Sequence, residues 1–160
     1  MLIWFAALSV FLVAETFKSP GLDYRLVVLG AVSPVLEGLI GGPWLLHTPL
    51  FAAVTLCGVM LMTQNRRLLR RRCLGIPIGL FAHLVLDATW ADSGVFWWPF
   101  TGFDTLGGSQ IREVFRWPGG LILEVIGIVI AFWIWKRYRL FEPLRRKSLF
   151  KHGRLERIEA

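Results

Sequence analysis

The stretch Cys73-Leu-Gly-Ile-Pro-Ile-Gly79-Leu-Phe-Ala-His83-Leu-Val-Leu-Asp87-Ala-Thr-Trp-Ala91 decides the fold. It is apolar over a length that suits one bilayer crossing, about 20 residues with a range of roughly 17–25. Yet it carries a histidine and an aspartate, and ionisable groups inside such a span are costly and usually mark function. Their four-residue separation sets His83 and Asp87 on one face of a helix. Gly75 and Gly79 extend the same stripe, and small residues at that spacing let helices approach closely. A helix of this kind belongs at the centre of a bundle, with its polar stripe turned inward.

The rest of the chain agrees. Of 160 residues, 55% are hydrophobic, 14% aromatic and 18% charged, and the mean hydropathy is +0.57. A soluble globule of this size could not hide so much apolar surface. The composition also excludes a disordered tail and a disulfide-rich secreted module. The expected fold class is all-α, an integral membrane bundle of about five spans near 2–17, 24–41, 44–63, 73–91 and 118–136. These make one transmembrane domain over 1–136, followed by a basic tail over 137–160. The first segment lacks a basic leader and an Ala-x-Ala site, so it reads as a retained helix rather than a signal peptide. Pro34 should kink the second span, and Gly41-Gly42-Pro43 should form a tight hairpin into the third.

Lys and Arg placement sets orientation. If five spans alternate, sixteen of the eighteen Lys and Arg residues fall on one side. They include Arg66, Arg67, Arg70, Arg71 and Arg72 in the 64–72 loop and nine more from Lys136 to Arg157. Only Arg112 and Arg116 fall on the other. The N-terminus is then outside the inner (cytoplasmic) membrane and the tail is cytoplasmic, lying on anionic lipid. The net charge of +7 does not point to nucleic acid, since no recognised motif or aromatic interleaving accompanies it. Cys57 and Cys73 suggest neither a disulfide nor a metal pair. The outer segment 92–117, with Trp97, Trp98 and Trp117, suits an aromatic belt or a lid over a lipid-facing cleft.

Depth sorts the polar residues within the spans. Glu37, His47, His83, Asp87 and Glu124 converge on one outer layer, drawn from four spans, whereas Glu15 lies near the opposite face. Two imidazoles with carboxylates form a ligand inventory for a divalent metal: zinc first, with manganese or iron as alternatives. A proton relay, or buried hydrogen-bonded pairs, is the competing reading. Ser33 and Thr48 are candidate hydrogen-bond partners around the ligands. Asp92, Asp104 and Glu113 read as solvated loop residues.

Gly79-Leu-Phe-Ala-His83-Leu-Val-Leu-Asp87, followed by Gly94-Val-Phe-Trp-Trp-Pro99-Phe100, resembles the membrane-bound metal-dependent hydrolases. These are also described as LexA-binding, inner-membrane-associated hydrolases. Pro34-Val35-Leu36-Glu37 is similar to the family's Pro-Asp-x-Asp element, with Val35 in place of the first Asp and Glu37 in place of the second. His47-Thr48 is similar to the end of its His-Arg-x-x-Thr-His-Ser element, whose first His and Arg are missing here. The likeness covers roughly residues 24–103. It implies a multi-helix membrane protein, a bound divalent metal held by Glu37, His47, His83 and Asp87, and hydrolytic activity.

The expectation that follows is hydrolysis of a lipid or lipid-linked ester or phosphoester at the outer leaflet, by water activated on the metal. Glu124 is expected as general base, and Arg112 or Arg116 as the clamp on an anionic head group. The alternative is a non-enzymatic membrane scaffold whose metal or polar cluster locks the helices together. A small transporter is a third reading, though no pair of broken-helix repeats supports it.

Overall fold

The computed structural model describes residues 1–19, 21–40, 44–103 and 118–155. Among them there are eight α-helices and no strand. In chain order they are α1 (Leu2–Phe17), α2 (Tyr24–Ile40), α3 (Pro49–Met62), α4 (Arg67–Cys73), α5 (Gly75–Leu86), α6 (Ser93–Phe96), α7 (Gly119–Arg137) and α8 (Pro143–His152). Short 3-10 turns over Leu45–His47 and Thr89–Ala91 precede α3 and follow α5. The all-helical class is as expected.

Helices α2 and α5 make the most extensive contact, and glycine is the reason. A Cβ on Gly30 would overlap the Ile76 carbonyl, and one on Gly79 would overlap the Val27 carbonyl. The two backbones therefore touch where side chains would otherwise hold them apart, as the stripe in the sequence suggested. Helix α1 packs on α2, α5 and α7, while α3 packs on α5. Buried residues form two clusters. One gathers Val13, Leu22, Tyr24, Val27, Ile134 and Tyr138 at the end carrying the chain's basic residues. The other joins Ala52, Leu80 and Leu84 beside the polar cluster.

Several boundaries differ from the sequence expectation. The arginine-rich 64–72 segment is mostly helix, because Leu and Arg are strong helix formers. It runs through Leu74, in helical conformation, into α5. The third span starts later than expected. Thr48 caps α3 by accepting from the Phe51 N–H at 3.2 Å, with Pro49 at the first helical position, so His47 sits in the preceding 3-10 turn. Helix α5 ends at Leu86, and Asp87 caps it, just before Ala88 with φ 53°. Among the described residues one helix, Gly119–Arg137, is by itself long and apolar enough to cross a membrane. Leu2–Phe17 and Pro49–Met62 are shorter apolar helices.

The tail folds back as part of the structure rather than hanging free. Tyr24 donates its N–H to the Gly153 carbonyl at 2.8 Å. Arg25 Nη1 donates to the Phe150 carbonyl at 2.9 Å and to that of Lys151 at 3.3 Å, placing a cation on the α8 carboxyl end where the helix dipole favours one. Gly153 has φ +69°, and a Cβ there would overlap the Asp23 carboxylate. Leu155 is buried among Leu22, Tyr24 and Tyr138.

Candidate metal centre

Three side chains of the expected set come together. His47, His83 and Asp87 each offer one ligand atom, and these atoms lie within 4.8 Å of one another. The two imidazoles are 3% and 1% exposed, and Asp87 is half-buried. Their rings stand edge to face with centroids 5.3 Å apart. The i, i+4 relation survives the end of α5, because the Asp87 N–H donates to the His83 carbonyl at 2.8 Å. Thr89 Oγ1 donates to Asp87 Oδ2 at 3.1 Å, which aims that carboxylate.

The hydrogen bonds dictate the tautomer of each histidine. His83 Nδ1 lies 2.7 Å from the Ala31 carbonyl oxygen, an acceptor only, so Nδ1 carries the proton. Its Nε2 is then a bare lone pair, and that atom is buried with no hydrogen-bond partner. His47 Nδ1 lies 3.0 Å from Glu37 Oε2, again an acceptor, which leaves Nε2 as its remaining ligand atom. Metal-bound histidines commonly donate their second ring N–H to a carboxylate or backbone carbonyl, which fixes ring orientation and raises basicity. One histidine here has each kind of partner. An unpartnered buried Nε2 is what the chemistry of a ligand requires and what a merely structural histidine avoids. The donor set therefore fits a single divalent ion.

Each supporting contact has a local cause. Pro34 cannot donate to the Gly30 carbonyl, and Ser33 Oγ takes that acceptor instead at 3.0 Å. Ala31 in the same turn of α2 presents its carbonyl to His83. The glycine contact between α2 and α5 brings the two within reach. Phe5 of α1 lies on the His83 ring, with centroids 4.1 Å apart, and shuts out water on that side. Phe5 and the Ala31 carbonyl were not foreseen from the sequence. Nothing in the sequence marked either.

Glu37 is placed differently from the expectation that it would be a ligand. Its carboxylate receives the N–H groups of Trp44 and Leu46, each at 3.0 Å, as well as His47 Nδ1. With three donors on two oxygens it pins the 44–47 turn and orients His47, and it is not one of the three clustered ligand groups. Glu124 also departs from its expected role. Its two oxygens accept from the Ile3 and Trp4 N–H groups, both at 3.2 Å, so it satisfies the amino end of α1. It belongs to the expected layer, since the same turn of α1 carries Phe5, but it is engaged in holding α1 instead of facing the cluster. Thr48 and Ser33 bond to their own backbone and not to a ligand. Asp92 caps α6 through the Gly94 N–H. Arg112, Arg116, Asp104 and Glu113 lie outside the described residues. No protein-family model, no curated protein and no solved structure matches the chain.

Proposed function

We propose that this chain is a multi-pass inner-membrane protein of about five spans, with its N-terminus outside and its C-terminus cytoplasmic. In this reading it acts as a metal-dependent hydrolase on a lipid or lipid-linked ester or phosphoester at the outer leaflet. One observation carries the metal: two buried imidazoles, each oriented through Nδ1, with the unpartnered Nε2 of His83 beside Asp87. Three protein ligands of the His₂-carboxylate kind leave a coordination position open, as catalytic zinc sites do. The same set suits non-haem iron, and manganese is a further candidate.

A divalent ion held by His47, His83 and Asp87 would supply Lewis-acid polarisation of an ester or phosphoryl oxygen and would acidify a water toward neutral pH. His83 and His47 would donate neutral nitrogen ligands, and Asp87 would offset part of the ion's charge. Glu37 holds the His47 tautomer, while Phe5 excludes water from behind His83. Glu124 has no part in this chemistry, because both its oxygens are committed to α1. Arg112 and Arg116 remain candidates for the head-group clamp. The membrane reading is supported by exposed apolar surface: Val129 and Phe132 on α7 are 62% and 60% exposed, and Phe100 near the outer turn is 90% exposed.

The second reading, a scaffold with a structural metal, draws on Phe5 and the near-complete burial of both histidines. Half-buried Asp87 favours the enzyme, since it leaves one side of the cluster approachable. The test is elemental analysis of the detergent-purified chain, followed by assays on a phospholipid, a polyprenyl phosphate and an acyl ester. Stoichiometric metal with turnover that vanishes in His83→Ala supports the enzyme. Stoichiometric metal with no turnover on any of the three gives the scaffold. A chain that binds no divalent metal ends both readings.

A further inference from the structure

A second feature lies away from the metal cluster, on the other side of α1. Helices α2 and α7 each pack on α1 but not extensively on one another, leaving a groove of about 560 Å³. Ala6, Ala7 and Val10 form its floor, and Val28 and Ala131 stand on its two walls. The lining is apolar apart from Tyr24 and Arg25 at the end near the basic residues. At the end near the basic residues it is closed by α8 through Phe150. That volume is in the range of small-ligand sites, roughly 300–1,000 Å³.

We propose that this groove holds one acyl chain of an anionic phospholipid, whose phosphate rests on the basic face of α8. The proposal rests on the membrane reading above and not on the metal or on hydrolysis. Two observations choose this occupant. The α2 wall from Tyr24 to Val32 rises about 12 Å at 1.5 Å per residue, close to the roughly 15 Å of one leaflet. The second is charge. Lys147 and Lys151 are exposed and, four residues apart on α8, flank groove-lining Phe150 on one helical stripe, and exposed Arg154 follows just past the Gly153 turn that ends the helix. Arg25 is not the head-group ligand, because its guanidinium is spent on Asp23 and the α8 carbonyls.

The full chain in detergent micelles doped with phosphatidylglycerol or phosphatidylcholine of matched acyl chains tests this by native mass spectrometry. One retained phosphatidylglycerol per chain is expected, preferred over phosphatidylcholine by about tenfold or more, given about 1 kcal/mol per basic residue near an anionic surface. Ala6→Trp fills the floor and should abolish retention with helicity unchanged. Val28→Phe is the second filler if Ala6→Trp fails to fold. Lys147→Gln with Lys151→Gln should keep the chain bound but erase the preference. Equal retention of both lipids by wild type, retention undiminished by the fillers, or a lipid-free dimer in which a second copy covers the groove would each overturn the proposal. A chain that needs detergent yet retains no phosphatidylglycerol sinks the groove alone, whereas a chain soluble without detergent sinks the membrane reading itself.

Discussion

At the scale of single residues, the polar cluster separates side chains that would hold an ion from those that aim them. Removing the ring of His47 or His83 should eliminate stoichiometric metal, because two remaining groups cannot hold an ion that three hold. Glu37→Gln is the subtler change. Gln keeps an oxygen for the Trp44 or Leu46 N–H but is a weaker acceptor for His47 Nδ1. Metal affinity should drop by about 10–100-fold, the usual effect of losing such an orienting partner. Titration with a competing chelator checks this, and a loss as complete as in His83→Ala would make Glu37 a ligand after all. Glu124→Gln should leave metal content and any turnover intact. It should cost about 1 kcal/mol, since one charge-assisted acceptor at a helix amino end is weakened. A fall in turnover of 10²–10⁴ with metal retained, the usual worth of a positioned base, would restore the general-base role. The three clustered groups, His47, His83 and Asp87, were legible in the sequence because an ionisable group in an apolar stretch stands out. Their supports were harder to see. Glu37 and His47 are ten residues apart across a turn, a separation no helical period marks. The Ala31 carbonyl belongs to every residue's backbone, and so leaves no trace in composition.

At the scale of elements, the α2–α5 contact connects packing to chemistry. Gly79 sits one turn before His83, and the backbone contact it permits is what holds the His83 ring against the Ala31 carbonyl. Gly79→Ala introduces a methyl group into the Val27 carbonyl, and the helices must separate to admit it. Overpacking of this kind costs about 1–3 kcal/mol. The 2.7 Å bond from His83 Nδ1 to Ala31 should lengthen as a consequence. Thermal unfolding and metal affinity should therefore decline together, although the substitution touches no ligand. Lower stability with unchanged affinity would show that His83 is positioned by other contacts, Phe5 first among them. The sequence showed this stripe on α5 plainly, through Gly75 and Gly79. It did not show that Gly30 answers from α2, because a lone glycine in a helix carries no information about what faces it. The ends of α3 and α5 were misjudged for a related reason. The spans expected from the sequence run through Leu45–His47 and Asp87–Ala91, whereas the Thr48 side-chain cap and the left-handed Ala88 are local geometry that hydropathy does not register.

At the scale of the whole molecule, the end carrying the basic residues is closed by the returning tail, and one carboxylate governs that closure. Asp23 is buried, which pushes its carboxyl up. The hydrogen bonds and charge of Arg25 and the Leu26 N–H outweigh that, so its pKa lies below the ordinary carboxylate value. A depressed carboxylate pKa contributes stability that is present above the unfolded value, about 3.9, and is lost as pH falls through the lower folded value. The melting temperature of wild type should therefore exceed that of Asp23→Asn at neutral pH, with the gap closing below about pH 4. A gap that persists to lower pH would mean that Asp23 acts through shape and not charge. The same closure bears on topology. Tyr24, Arg25 and the tail through Leu155 form one packed unit, so the start of α2 and α8 must lie on a single side of any membrane the chain crosses. In the proposed five-span arrangement sixteen of the eighteen Lys and Arg residues fall on the side of this unit, and under that proposal the asymmetry would put it in the cytoplasm. Reporters fused after Leu69 and after Ala160 should thus both read cytoplasmic. Opposite readings from the two would contradict the alternation of five spans. Two external readings would keep the bundle but invert it, leaving the polar cluster at the other face with its geometry unchanged.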